Sequence, residues 1–570
     1  MVDFIKTQNT FLNGEVAPEF FAHDNLSGLS KLENMDVLSG GGLTRRRGLR
    51  HIKDLLNVAK IIPFYVSESE QYIVALADEH IWVFSPDGGL EQSLLSSWAY
   101  DDVASVQYAQ RFGTIIFVHP DFQPNVLKKT ASGFSLSPFE FSRNDDMTYN
   151  MPFMRFDDAD GISITVTANE GGNNYATFTT NSDFWTPESV DERILLMGKQ
   201  WRIVSVTNAR VAVAHTNTTY TLPGAPIFDW SEAAFSARRG WPRSITFHQN
   251  RLVFGGSRDW PSGVWMSVVG KHNNFDVGTG LDDEAIFITL TSQQRQQICT
   301  VVSSDNLQIL TSVGEWAISN KPLTPASVDI KQHTSVGSAI TPYLAPQKIE
   351  GATVFVSRNM RDIRELSLDE LGENYNANDL CAMSKHLMSG PIDMAYNQGT
   401  RQLFVVMTDG TMAVLNQNAG LGISAWGKYV TDGEFLSVAV LNDETFVVVR
   451  RGNTISLEVF DENALSDGDY EFSFCAAGLP LRASGHNVSR LRIRKILARV
   501  LNTKTLFING QRITFPNEIY EVGADGFSGD VSVGILGTTR KCIDAPWQIH
   551  SDYQLPATVL SISLFGNYGV

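Results

Sequence analysis

The strongest constraint on this chain is a hairpin that keeps returning. Seven times a short run rich in Val, Ile, Leu and Phe reaches a turn and comes back as a second apolar run. The pairs are 72–76 with 81–84, 114–118 with 126–127, 251–254 with 264–266, 307–310 with 315–318, 354–356 with 363–366, 403–406 with 412–415, and 446–449 with 455–457. β-Branched and aromatic residues suit a pleated, half-buried surface, so these runs read as strands. The sixth pair is the clearest, because Asp409-Gly410 supplies the residues a tight hairpin turn demands. First residues of successive hairpins lie 42, 137, 56, 47, 49 and 43 positions apart. One interval aside, that is close to the roughly 40–50-residue period of a four-stranded propeller blade. A sandwich can space hairpins similarly, but a propeller also leaves only short, protected strand edges. The expected fold is mainly β, a β-propeller of six or seven blades.

The long interval marks an insertion over residues 143–240. Alternating runs there, such as Ile162-Ser163-Ile164-Thr165-Val166 and Val211-Ala212-Val213, predict a small β-domain, barrel or sandwich. After Asn463 the repeat stops, and runs at 491–494, 505–508 and 558–564 predict a C-terminal β-domain. The chain then divides into an N-terminal docking segment (1–58), first blades (59–142), the inserted domain (143–240), remaining blades (241–463) and a C-terminal β-domain (464–570). Helical spacing is scarce; Leu26, Leu29 and Leu32, three apart, predict two turns of helix.

Forty-five basic against 62 acidic residues give a net charge of −17. That balance is wrong for gripping nucleic acid, where clustered Lys and Arg neutralise phosphates. It suits a surface that DNA slides past, although most acidic proteins are simply soluble ones. Cys299, Cys381, Cys475 and Cys542 form no CxxC pair, so neither a zinc site nor a disulfide framework is expected, consistent with assembly in a reducing cytoplasm. Met1 to Lys6 lack the regions of a signal peptide, and no run approaches the ~20 apolar residues of a membrane span. The reading is a chain soluble when made.

No GxSxG elbow, Walker loop or HExxH is present, and the expectation is no catalytic residue, cofactor or metal. Asp282-Asp283-Glu284, after Gly278-Thr279-Gly280, has the carboxylates for a cation or a glycosidase, but a solvated loop is the plainer reading. Ser85-Pro86-Asp87-Gly88-Gly89 looks like the start of a sialidase Asp-box, with Glu91 and Gln92 where Thr and Trp belong, and reads as a turn. Arg45, Arg46 and Arg47 follow a glycine run and suit contact with phosphate or an acidic neighbour. Arg490, Arg492 and Arg494 alternate with Leu491 and Ile493, putting three positive charges on one strand face.

Several segments together resemble a family. Phe11-Leu12-Asn13-Gly14-Glu15-Val16-Ala17-Pro18, then Leu32-Glu33-Asn34, then Gly41-Gly42-Leu43-Thr44-Arg45-Arg46-Arg47-Gly48 are similar to the opening of the tail nozzle (tail tubular) proteins of short-tailed bacteriophages. Asn13 and Arg47 depart from that pattern, which has Gly and Pro there, and His23 stands near where an Arg is usual. His248-Gln249-Asn250-Arg251-Leu252-Val253-Phe254-Gly255-Gly256-Ser257 resembles a characteristic blade of the family, with Asp282, Asp283 and Ile286 following. Thr408-Asp409-Gly410-Thr411 with Ala425-Trp426, and Leu555-Pro556-Ala557-Thr558-Val559-Leu560, are similar to another blade and to the closing strand.

The resemblance implies a structural virion protein, assembled in the host cytoplasm, that forms a ring, usually a homohexamer, below the tail adaptor. Its implied partners are its own copies, the adaptor, tail fibre or spike proteins, and double-stranded DNA in transit without specific binding. The arginines at 45–47, and Arg490, Arg492 and Arg494, are the expected assembly contacts. A receptor-binding tail component is the rival reading, for which exposed aromatics such as Phe184-Trp185 would speak. A propeller glycosidase is a further rival, and it would need paired carboxylates.

Overall fold

The computed structural model describes residues 2–22, 26–169, 174–369, 371–372, 374–481, 490–515, 526–535, 539–541 and 544–569. Among them there are strands and short 3-10 turns, with no α-helix. The chain forms two compact units. One comprises Met1–Phe64, Glu68–Ala104 and Thr341–Val570; the other comprises Tyr65–Ser67 and Ser105–Ile340.

Six of the seven predicted hairpins are the central pair of a four-stranded antiparallel sheet, and the sixth is the central pair of four antiparallel strands that belong to a ten-stranded sheet. The second unit holds three of these sheets, beginning at Gln107–Arg111, Pro242–His248 and Ile298–Ser303. The first unit holds four, beginning at Val58–Tyr65, Gln347–Ile349, Pro391–Asn397 and Glu434–Leu441. Their middle strands, such as Leu307–Thr311, Ala352–Val356 and Gln402–Met407, are buried at every position. A sheet covered on both faces needs apolar residues on both, which is why the sequence shows continuous runs there. Facing sheets share cores: Ile61, Ile73, Phe446 and Val448 lie in one cluster, Val264, Ile286, Ile309 and Trp316 in another. Each such side chain contributes roughly 1.5–3 kcal/mol on burial. The fold is a β-propeller with seven blades among the described residues.

The seventh blade takes its fourth strand from the other end of the chain. Gly48–Leu55 pairs antiparallel with Thr454–Asp461, setting Gly48 opposite Asp461 and Leu55 opposite Ile455.

The inserted domain is a seven-stranded sheet running from Phe153–Met154 to Trp230–Ala233. Ile164 and Ile227 exchange both backbone hydrogen bonds, at 2.8 and 2.9 Å, which curls the sheet toward closure as a small barrel. Phe178, Trp201 and Trp230 fill it.

Residues 1–58 are not a separate docking segment. The sheet of Pro391–Asn397 continues from its outer strand, Ile423–Tyr429, through Gly14–Glu15, Gly28–Glu33, Phe474–Gly478 and Gln548–Ser551. A second sheet joins Met35–Val37 and Leu43–Arg45 to Thr558–Gly569, Arg490–Thr503 and Phe527–Gly534, and Val2–Gln8 lies along Thr558–Gly569. Phe11, Leu32, Ile496, Trp547 and Ile562 share the resulting core. Short strands leave backbone donors and acceptors that only a partner strand can satisfy, so the two ends of the chain fold as one domain. The helix expected over 26–32 is instead the strand Gly28–Glu33, with Leu29 and Leu32 fully buried. Cross-strand pairing to Ala476 and Gly478 overrides the weak spacing signal.

Candidate functional site

The N-terminal motif segments form a joint along the blade strand Ile423–Tyr429 and its end at Val430. Gly14 takes φ +60°, and a Cβ there would lie 2.6 Å from the Trp426 amide nitrogen, so only glycine lets this strand lie against the blade. The Glu15 carboxylate accepts a bond from the Leu32 amide at 2.6 Å and lies 2.9 Å from His386 Nε2. Asn34, fully buried with φ +54°, donates to the Ser473 carbonyl and accepts from the Val430 amide and from Arg46 Nε at 2.8 Å.

Arg46 is the centre of this joint. Its two terminal nitrogens donate to the two oxygens of Asp467 at 2.9 and 2.6 Å, and neither side chain has any exposed surface. The guanidinium also donates to the carbonyls of Arg47 and Val430, and lies 3.6 Å from the ring centre of Phe472. Such a forked, stacked site suits arginine alone. Arg45 is buried beside it, donating to the Leu465 carbonyl. Burial, with Arg46 next to it, brings its pKa down to about 10. Buried guanidiniums offer nothing to a neighbouring molecule. The docking contact expected of Arg45 and Arg46 is therefore an internal one, and only Arg47 of the three is half-buried. Asp467 carries no sequence signal, because it lies some 420 residues from its partner.

The second motif is also a joint. Gln249 and Asn250 form a two-residue turn with φ +43° and +60°, and Gln249 bonds Asn320 and Leu323 of the next sheet. Fully buried Arg251 donates to the carbonyls of Ser267, Asp282 and Glu284. That ties down the acidic loop. Glu284 itself accepts from the amides of Thr279, Gly280 and Leu281 at 2.5–2.8 Å, which holds its pKa down. The Glu284 carboxylate thus serves the loop's own turn, and the side chains of Asp282 and Asp283 are exposed. Ser85 and Asp87 likewise close a turn on Gly89.

Arg492 and Arg494 stand exposed on Arg490–Thr503, with buried Ile493 between them. Arg494 lies 3.5 Å from Asp3. Arg490 belongs to this strand by its backbone; its side chain lies outside the described residues, as do His23 and Cys542.

The carboxylate pair absent from the sequence reading is Glu192 with Glu232, both buried. Burial first, and the neighbouring Glu232 next, push the Glu192 carboxyl up to about 8. Arg239 holds both Glu232 oxygens, at 2.6 and 2.9 Å, and reaches Asp158 at 2.7 Å; Arg238 lies 3.4 Å from Glu232. Glu192 borders a cleft of about 460 Å³ with Arg143, Tyr149 and Trp241. Glu232, with no exposed surface and both oxygens occupied, is an anchor for the inserted domain and has no open face for a substrate. Asp362, Asp379 and Cys381 come close enough to share an ion, but Lys385 bonds both carboxylates, at 2.9 and 3.0 Å, and takes the cation's place. Burial pushes the Cys381 and Cys299 thiols up to about 12, so neither is poised as a ligand. Phe184 and Trp185 are buried, so the exposed aromatics of the receptor-binding reading are not found there.

No protein-family model matches the chain, and no curated protein matches it. Solved structures similar to it include the Neurospora crassa Pan2 WD40 domain, at 9% identity and TM-score 0.34 over 73% of this chain and 96% of that one. The RRP9 WD40 repeats match at 8% identity and TM-score 0.39 over 73% and 100%. The Myceliophteria thermophila Cps50 (Swd1) β-propeller domain matches at 6% and 0.39 over 72% and 99%.

Proposed function

We propose that this chain is the nozzle protein of a short-tailed phage, a structural virion component that forms a ring, a homohexamer, continuing the DNA channel below the tail adaptor. The observation that carries the reading is the convergence of the resembling N-terminal segments. Gly14 packs on Trp426, Glu15 takes the Leu32 amide, and Asn34 links Val430 to Arg46, which Asp467 and Phe472 enclose, while the closing segment pairs with the third of these segments through Thr558 and Thr44. Residues that recur in a motif for such a reason are scaffold, which fits a structural protein. The −17 charge supports DNA transit, since carboxylates give phosphates no strong site.

The test is the solution mass by light scattering, alone and with the adaptor. A ring-sized oligomer in either condition is the expected result. A monomer in both overturns the reading in favour of a receptor-binding component.

A further inference from the structure

We infer that the outer face of the strand Arg490–Thr503 is the contact by which one copy of this chain engages the next, and that its counterpart is the acidic loop at 461–471. The inference rests on the ring reading and names the surface that builds it.

The face is unusual for so acidic a chain. Ile493, Ile496, Ala498 and Val500 point into the core, so Arg492 and Arg499 lie on the opposite, exposed side. The pairing with Thr558–Gly569 slips between Ile493 and Lys495. Such a bulge places two successive residues against one, and both Arg494 and Lys495 are exposed here. Four exposed basic side chains, Arg492, Arg494, Lys495 and Arg499, thus gather on this strand, with Asp3 beside Arg494 and Asp530 bonded to Arg499.

A basic sheet face fits a protein surface of opposite charge, and a chain of net charge −17 supplies one in every copy. DNA is the poorer occupant, because the rest of the chain repels phosphates at long range. The 461–471 loop holds Asp461, Glu462, Asp467, Asp469 and Glu471 with no Lys or Arg. Arg50 and Arg46 take Asp461 and Asp467. Glu462, Asp469 and Glu471 are left exposed, and Asp469 borders an open cleft of about 450 Å³ together with Asp54. Two different patches on one chain, each complementary to the other, make a head-to-tail interface, the kind that closes into rings.

The experiment is light scattering on the full chain, with the adaptor present, comparing three variants with the parent. Arg492→Glu, Arg494→Glu and Lys495→Glu together should leave a monomer, as should Glu462→Lys, Asp469→Lys and Glu471→Lys together. A chain carrying all six should regain the ring, which no merely unfolded variant can do. Matching thermal melts verify folding, and the Gln triple at 492, 494 and 495 replaces the Glu triple if that one melts early. The parent's association should also weaken at least about tenfold between ~0.1 and ~1 M salt, as the screening length falls from ~10 to ~3 Å. A ring that survives the first triple overturns this contact and leaves the nozzle reading intact. A parent that never forms a ring overturns both. Binding of duplex DNA by the parent that the first triple abolishes makes the face a phosphate site instead, and also overturns the inference.

Discussion

At Arg46 and Asp467 two opposite charges sit side by side with no exposed surface. Removing one partner leaves the other charged, buried and unpaired. Asp467→Asn should therefore lower unfolding stability by about 3–5 kcal/mol in a denaturant titration. Arg46→Met with Asp467→Leu should recover most of that loss, since apolar residues of similar volume often replace a buried pair without penalty. Glu192 makes the opposite case, a buried carboxyl that keeps its proton. In the unfolded chain it ionises near pH 4.5, while in the fold burial and Glu232 hold the proton until about pH 8. Its contribution to stability is complete below pH 4.5, falls as the unfolded chain alone loses the proton, and is gone above about pH 8. Glu192→Gln keeps the neutral form throughout. The variant should match the parent at acid pH and exceed it by more than about 1 kcal/mol above the upper pKa, read from unfolding at several pH values.

Strands read well from the sequence where both faces are buried and poorly where they are not. All seven central hairpins announced themselves through runs such as Leu403-Phe404-Val405-Val406, because a blade packed on both sides admits little else. Outer strands such as Leu90–Leu95, mostly exposed, and Tyr375–Asp379, with its Asn and Asp, gave no comparable pattern. Leu26, Leu29 and Leu32 misled because a three-residue spacing over so short a run cannot outweigh pairing to a strand near residue 476. The motif residues were visible as a pattern, but their role was not. Nothing local in Arg45-Arg46-Arg47 tells that Asp467 and Phe472 will enclose the middle one, nor that Glu192 and Glu232 will meet. The inserted domain, by contrast, was legible because its alternation is local. Its barrel has its own core, and its first and last strands lie side by side, Phe153 opposite Ala233. A fragment spanning residues 150–240, which keeps Arg238 and Arg239 on Glu232, should fold alone, with a cooperative melt and a near-ultraviolet dichroism signal from Trp201 and Trp230. A broad, non-cooperative melt would show that it depends on the blades.

For the molecule as a whole, the strand Gly48–Leu55 decides whether the first unit can close. A chain lacking residues 1–57 loses that strand, along with the N-terminal half of the composite domain, and leaves Thr454–Asp461 as a bare edge. It should be recovered as aggregate or as a species that binds hydrophobic dyes, where the full chain is neither. The same strand sets a clock on biosynthesis. It leaves the ribosome some four hundred residues before the strand it must pair with. At about 5–20 residues per second, that is roughly 20–80 seconds during which an exposed strand waits without its partner. Chaperone capture in that window, and yields that drop when many ribosomes crowd one message, follow from where the closing strand is encoded.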